Sequence, residues 1–329
     1  MSRRILKFLA LAVLLAVLGA IAAFGWGYAH FSRPGPAGNE KLVVLPRGSG
    51  VGAIAGRLQA AGVISEPAIF AAGARLGGWS RALKAGEFRI PARASMREIV
   101  AILVEGKTVV RRLTIPEGLT VTEILALLHD TEGLSGAVEG RPVEGALLPE
   151  TYHFSYGDGR EALLERMRDG MRKTLAELWP GREKDLPLAT PAEAVILASM
   201  VEKETSLPEE RPHIAGVFVN RLRRGMRLQS DPTAVYAITQ GREPLGRALT
   251  RADLEMPSPY NTYHADGLPP GAIANPGRAA IAAVLHPLRT KDLYFVADGA
   301  GGHAFAASFA EHRHNVRRWR QSQRNKTSR

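Results

Sequence analysis

The stretch "FLALAVLLAVLGAIAAFGWGYA", Phe8 to Ala29, is 22 residues long and carries no charge. At 1.5 Å per residue, a helix of that length crosses the hydrocarbon of a bilayer. Whatever follows therefore folds on one side of a membrane. Arg3, Arg4 and Lys7 precede the run, so the positive-inside rule leaves residues 1–7 in the cytoplasm. Trp26 and Tyr28 suit the far interface, where amphipathic rings settle. Small residues in "GAIAA" would also suit a signal-peptide cleavage site; the length and the aromatic exit favour a retained single-pass anchor over 8–29. Everything beyond residue 30 is expected outside the cytoplasm. The sequence has no cysteine, which excludes a lipoprotein anchor and any disulfide framework.

The net charge of +11 points to nucleic acid only until it is divided along the chain. Residues 1–7 carry +3 and residues 311–329 carry +6, leaving +2 for everything between. A nearly neutral body gives no basic face for DNA or RNA. The tail "RRWRQSQRNKTSR", within 313–329, is expected as a frayed helix end and disordered terminus.

After the Gly/Pro linker "SRPGPAGN", one spacing occurs three times. An extended apolar stretch meets Pro, with Ile at +8 and Leu at +12. The copies are Pro46/Ile54/Leu58, Pro91/Ile99/Leu103 and Pro116/Ile124/Leu128. Ile and Leu four apart share one helix face, so these side chains, with Leu125 beside Leu128, are expected to be buried. "SMRE" at Ser95 to Glu98 and "TVTE" at Thr120 to Glu123 are capping boxes that start two of the helices. The strand-turn-helix units resemble LysM-type modules, which bind N-acetylglucosamine polymers; an α/β packing module without a ligand has the same shape. The module is placed at 40–108.

In the second half, "TPAEAVILASMVEKET" opens with Thr190 as cap, Pro191 at the first helical position and Glu193 three residues on. The helix from about 191 to 205 is apolar on nearly all sides and hence buried. Glu202 lies in line with Val195 and Ala198 on its buried surface. Such a carboxylate is either an ion-paired helix end or an acid kept protonated, because burial disfavours the charged form. Glu204 points about 200° away and suits a salt bridge. A second helix, "ERPHIAGVFVNRLRRG", leads to a polar turn at Gln229, Ser230, Asp231 and Pro232. Then "SPYNTYHADGLPPGAIANPG" runs without regular structure. Long irregular segments in compact domains are functional or disordered. Tyr260, Asn261, Tyr263 and Asn275 in this one suit sugar stacking and amide hydrogen bonds.

"LASMVEKET", "VFVNRLRRGMRLQSDPT", "SPYNTYHADGLPPGAIANPG" and "LYFVADGAGGHAFAASFAEH", in this order, resemble the MltG/YceG-like endolytic murein transglycosylases. The resemblance implies an α+β protein with three parts: a transmembrane helix, a LysM-like αβ module and a mixed α+β catalytic domain over 109–312. It implies Glu202 as the catalytic acid, with Gln229, Asp231, Thr233, Tyr260, Asn261, Tyr263 and Asn275 lining the glycan cleft. In "LLPETY", Glu150 stands where the family commonly has Asp. The implied reaction cleaves the bond between N-acetylmuramic acid and N-acetylglucosamine and leaves a 1,6-anhydro end. Peptidoglycan strands are the implied partner, with peptidoglycan synthases beside them, and no cofactor is required. The rivals are a water-using muramidase and a non-catalytic wall-binding scaffold.

Asp231 suits either a cation-stabilising carboxylate or a turn residue before Pro232. No metal is expected, because His312 and His314 of "EHRH" diverge on a helix. "GGHAF" is expected to put His303 in a turn near the cleft. Neither a Walker loop nor a GxSxG elbow occurs in the sequence.

Overall fold

The structure is a computed structural model that describes residues 3–327. It is a mixed α+β fold with one long apolar helix at its N-terminus and two compact units. The first unit comprises Met1–Arg111 with His153–Asp158; the second comprises Arg112–Tyr152 with Gly159–Arg329.

The first unit opens with α1 (Arg3–Ser32), followed by β1 (Lys41–Leu45), α2 (Val51–Ala60), α3 (Pro67–Leu76), β2 (Gly86–Ile90) and α4 (Met96–Glu105). β1 and β2 pair antiparallel, from Lys41 opposite Ile90 to Leu45 opposite Gly86. Alternation along the strands sends Val43, Leu45, Phe88 and Ile90 into the core, where they meet Ile54, Leu58, Ile99 and Leu103. The capping box of α4 forms as its sequence dictates, Ser95 Oγ accepting from the Glu98 N–H and Glu98 accepting from the Ser95 N–H. Gly106 ends the helix at φ 74°, a left-handed conformation that glycine adopts without a Cβ penalty.

α1 is exposed along its apolar length, but its last turn is not a free end. Phe31 is buried in the core of the first unit, its ring lying over Gly73 of α3, where a Cβ would come within 2.5 Å of it. The Gly/Pro segment that follows is not the loose linker its composition promises. The Gly35 N–H donates to the Arg93 carbonyl at 3.0 Å and the Arg93 N–H to the Ala37 carbonyl at 2.8 Å. Gly35 packs so closely on the backbone that a Cβ would lie 2.3 Å from the Ala94 oxygen.

Beyond the first unit run β3 (Val110–Thr114), α5 (Val121–Asp130), β4 (Leu134–Ser135), β5 (Thr151–Ser155), β6 (Asp158–Gly159) and α6 (Arg160–Leu178). Then come α7 (Pro191–Glu204), α8 (Arg211–Arg223), α9 (Asp231–Thr239), α10 (Arg251–Glu255), α11 (Arg278–Leu285), β7 (Tyr294–Ala297), β8 (His303–Ala306) and α12 (Phe309–Thr327). β3 pairs with β5, β4 with β6, and β7 with β8. On α5, Ile124 and Leu128 are buried as expected, whereas Leu125 is only half-buried. It lies 100° around the helix from Ile124, at the margin of the apolar stripe.

The core of the second unit is α7, sandwiched by α8 and α11. Leu197, Ala198, Met200 and Val201 meet Ile214, Ala215, Phe218, Ile281, Val284 and Leu285. The segment between α10 and α11 has no regular structure. α12 continues as helix through Thr327, which replaces the expected frayed tail; residues 328 and 329 lie outside the described residues.

Candidate active site

The position of α7 is set at its N-terminus. Thr190 accepts from the Glu193 N–H at 3.2 Å with Pro191 in the first turn. Glu193 reaches one residue further back than a capping box requires, accepting from the Ala189 N–H. With its apolar body sealed in the core, the helix delivers its last turn, Val201 to Glu204, to the edge of a cavity of about 330 Å³.

Glu202 is the carboxylate that this arrangement encloses, its side chain only 3% exposed. One oxygen accepts from Arg211 Nη2 at 2.8 Å, the other from the Gly277 N–H at 2.8 Å, where α11 begins. The same Arg211 nitrogen donates to Glu117 at 2.9 Å, so two carboxylates share one guanidinium. Burial raises Glu202 above the usual carboxylate range and the Glu117 charge adds to this, against the pull of the Gly277 N–H and Arg211. Arg211 Nε is buried and makes no hydrogen bond among the described residues. Lys203 closes the cavity's other side, its Nζ donating to the Gly118 carbonyl at 3.3 Å.

Glu204 departs from the expected salt bridge. It is bonded to a hydroxyl: Ser230 Oγ donates to it at 2.5 Å, from the turn that caps α9. That turn shuts its carboxyl away from water, and burial pushes it up to about 7, with the charge of Asp231 adding to the effect. The last turn of α7 thus carries two elevated carboxyls. Glu202 has a cation and an amide on its carboxylate form; Glu204 has a hydroxyl.

The remaining expected site residues separate into two kinds. Gln229 and Asp231 are exposed, Gln229 at φ 50° and Asp231 accepting from the Tyr263 hydroxyl at 2.6 Å. Burial and this bond raise the Tyr263 hydroxyl above its ordinary range. Tyr260 is half-buried and lines a second, larger groove. Thr233, Asn261 and Asn275 have no exposed surface, which closes them to the ligand contacts expected of them. Thr233 bonds to the Ser230 carbonyl and the Thr262 hydroxyl. Asn261 Nδ2 donates to the Met256 carbonyl at 2.8 Å and to two others at the end of α10. Asn275 accepts from the Gly145 and Leu147 N–H groups and donates to the Leu119 carbonyl and Glu144, filling all four positions of its amide. These three residues build the loop framework.

His303 begins β8, its ring nitrogen 2.7 Å from Glu210. Glu150 is exposed, and its carbonyl accepts from the Ile115 N–H. Glu117 and Arg211 were not marked by the sequence. Glu117 follows the third repeat proline directly and stands 94 positions from Arg211, so no local spacing connects them. The available signal was "IPEG", an acidic residue before a positive-φ glycine at the mouth of a capped helix.

The YceG-like family model matches residues 43–318. The chain is 33% identical over 356 residues to an endolytic murein transglycosylase of Streptococcus pneumoniae, an alignment taking in 92% of this chain and 63% of that protein. It thus spans less than two thirds of that relative's length. An endolytic murein transglycosylase of Bacillus subtilis is 31% identical over 304 residues, with 82% of this chain and 81% of that one aligned. The crystal structure of a yceG-like protein from Listeria monocytogenes matches with a TM-score of 0.50 at 29% identity, covering 84% of this chain and 99% of that one.

Proposed function

This chain belongs to the YceG-like family, and from that membership we propose that it is an endolytic lytic transglycosylase of peptidoglycan with Glu202 as its acid and base. The observation that carries the proposal is the enclosed, elevated Glu202 carboxyl at the edge of a cavity. Protonated Glu202 gives its proton to the oxygen joining N-acetylmuramic acid to N-acetylglucosamine. The C1–O bond breaks through an oxocarbenium-like state. The muramic C6 hydroxyl then attacks C1, and the Glu202 carboxylate takes the hydroxyl proton. The products are a 1,6-anhydro end and a free N-acetylglucosamine hydroxyl.

No external water enters the reaction, so the second carboxylate that would activate one is not needed. The nucleophile is already attached, and holding the ring in a suitable pucker meets most of its entropic cost. Between the two proton transfers Glu202 is a carboxylate. Arg211 and the Gly277 N–H, both within 2.8 Å, stabilise it at that stage without moving. Glu117, drawing on the same guanidinium, keeps the resting acid from losing its proton too easily. Gln229, Asp231 and Tyr263 are the proposed glycan contacts, Tyr260 meets the substrate from the larger groove beside them, and Thr233, Asn261 and Asn275 act through the loops they hold.

The antiparallel strand pair of the first unit, backed by helices, supports a LysM-like glycan-binding role for 40–108. α1 is the proposed single-pass inner-membrane anchor, with residues 1–7 cytoplasmic and 109–312 forming the extracytoplasmic catalytic part. Such an enzyme would end the elongation of nascent strands, beside the synthases that make them.

Purified glycan strands digested with the protein and weighed decide the reaction. Products lighter than reducing ends by one water establish the transglycosylase. Reducing ends would make it a muramidase, and uncut strands that still bind would make it a scaffold.

A further inference from the structure

Val195 and Ile196 stand six to seven residues before Glu202 on α7, about 10 Å along its axis. There they floor a groove of about 1040 Å³ that the chemistry at Glu202 does not use. Met171 of α6 extends the apolar floor, and the rings of Tyr236 and Tyr260, centroids 4.9 Å apart, form one wall. Four arginines reach this groove, and two of them are already neutralised. Arg168 is paired with Glu161 and Glu165, and Arg172 with Glu165 and Asp169. Arg141 and Arg242 are exposed and form no ion pair among the described residues, Arg141 being held by the Thr122 hydroxyl at 2.7 Å. Glu144, on the same wall, is turned inward to the Val121 N–H and Asn275. The groove therefore offers an apolar floor, a pair of aromatic rings and two exposed cations outside any ion pair, of which Arg141 also lies within electrostatic reach of Glu144.

We propose that this groove binds the peptide stem of the strand whose glycan lies at Glu202. The proposal rests on the glycan-cleaving reading of Glu202 and names what else of the substrate the protein holds. A stem is a short peptide with small aliphatic side chains and several carboxylates, hung from the muramic residue. Its apolar groups fit the Val195–Met171 floor, and its carboxylates fit Arg141 and Arg242. A neutral sugar would use the tyrosines but leave the arginines without purpose, and an acyl chain would use neither. The axial distance of about 10 Å suits a substituent of the bound strand and not the scissile bond itself.

The test uses the full chain in detergent with Arg141→Glu and Arg242→Glu combined, and the milder Arg141→Gln with Arg242→Gln as a second variant if the first melts early. Each is assayed on stem-bearing strands and on the same strands stripped of stems by an amidase. The expected result is a KM for stem-bearing strands raised roughly tenfold, about 1.4 kcal/mol, with kcat and the peptide-free reaction unchanged. Equal effects on both substrates, or none on either, overturn the proposal. Independently, a synthetic stem tetrapeptide is titrated into Glu202→Gln protein with and without the arginine changes. Saturable binding lost with the arginines supports the groove even if Glu202 proves not to be the acid. Binding that survives their removal, or that a fatty acid displaces and the peptide does not, overturns it.

Discussion

Glu202 and Glu204, two residues apart in the last turn of α7, make different predictions. Glu202→Gln keeps the shape but can accept only one of the two bonds from Arg211 and the Gly277 N–H, and it cannot supply a proton. Anhydro-product formation should fall by at least about a hundred- to ten-thousand-fold, in a protein that still melts cooperatively. An active Glu202→Gln enzyme would reduce this carboxyl to a buried ion pair. As an acid, Glu202 works below its pKa and fails above it. Removing the nearby negative charge in Glu117→Gln should therefore move the alkaline limb of the pH–rate profile to lower pH, because that charge holds Glu202 up; an unmoved limb would show Glu117 to be a purely mechanical partner. Glu204 makes a stability prediction. Its folded pKa of about 7 lies above the ordinary 4.5, so between these values the folded chain holds a proton that the unfolded chain has lost. Stability falls as pH rises through that window, and Glu204→Gln should abolish this part of the fall. Urea midpoints at pH 5 and pH 7.5 for both proteins measure it; parallel losses would mean Glu204 does not titrate there. Asn275→Ala would strand the buried Gly145 and Leu147 N–H groups, while the Leu119 carbonyl keeps the backbone N–H of residue 275; the loss should cost roughly 3 kcal/mol and lower Tm by about 10 °C.

At the scale of elements, α8 meets the chain after α11 backbone to backbone. Gly216 lies so close to the Leu288 carbonyl that a Cβ would stand 2.4 Å from its oxygen. Backbone cannot yield as a side-chain tip can, so Gly216→Ala should cost about 1–3 kcal/mol, seen as an earlier thermal melt; a neutral Ala would mean that α8 slides freely. The burial of α7 shows what could be read in advance, whereas the approach at Gly216 could not. Thr190 and Pro191 mark the start of α7 through local chemistry, and the Ile/Leu pairs mark the inner faces of α2, α4 and α5 through a period, so both were legible. α3 was not, because it has no counterpart in the other repeat copies; its own signal was Pro67 at the first position, with Phe70, Ala71 and Ala74 on one face. Asn275 was misread for a different reason. An Asn in an irregular segment serves a ligand or its own loop according to which way the surrounding chain turns it, and partners 128 to 156 positions away decide that. The sharing of Arg211 by Glu117 and Glu202 is hidden in the same way. Glu202 itself was legible because one helix carries both the burial and the charge.

For the whole molecule, the apolar helix predicts that the full chain sediments with vesicles and leaves them only in detergent, whereas a chain lacking residues 1–30 stays in the supernatant; co-sedimentation of the truncated protein would mean that a second surface, such as α12, holds the membrane. The way α1 ends matters as much as its length. Phe31 is built into the core of the first unit, and the Gly/Pro segment is bonded to Arg93, so α1 is joined to the rest of the first unit without a swivel. A module on a loose tether tumbles through every attitude and must give up that freedom each time it captures a strand. In the proposed membrane-anchored, glycan-binding arrangement, the fold would remove much of that orientational entropy beforehand and confine encounters to a sheet of space parallel to the membrane. Twenty Gly/Ser residues inserted after Ser32 should restore the tumbling and weaken retention of glycan by protein-bearing vesicles, leaving the melt of the first unit unchanged. On that proposal the anchor would do part of the binding, by narrowing the directions from which a strand can be met.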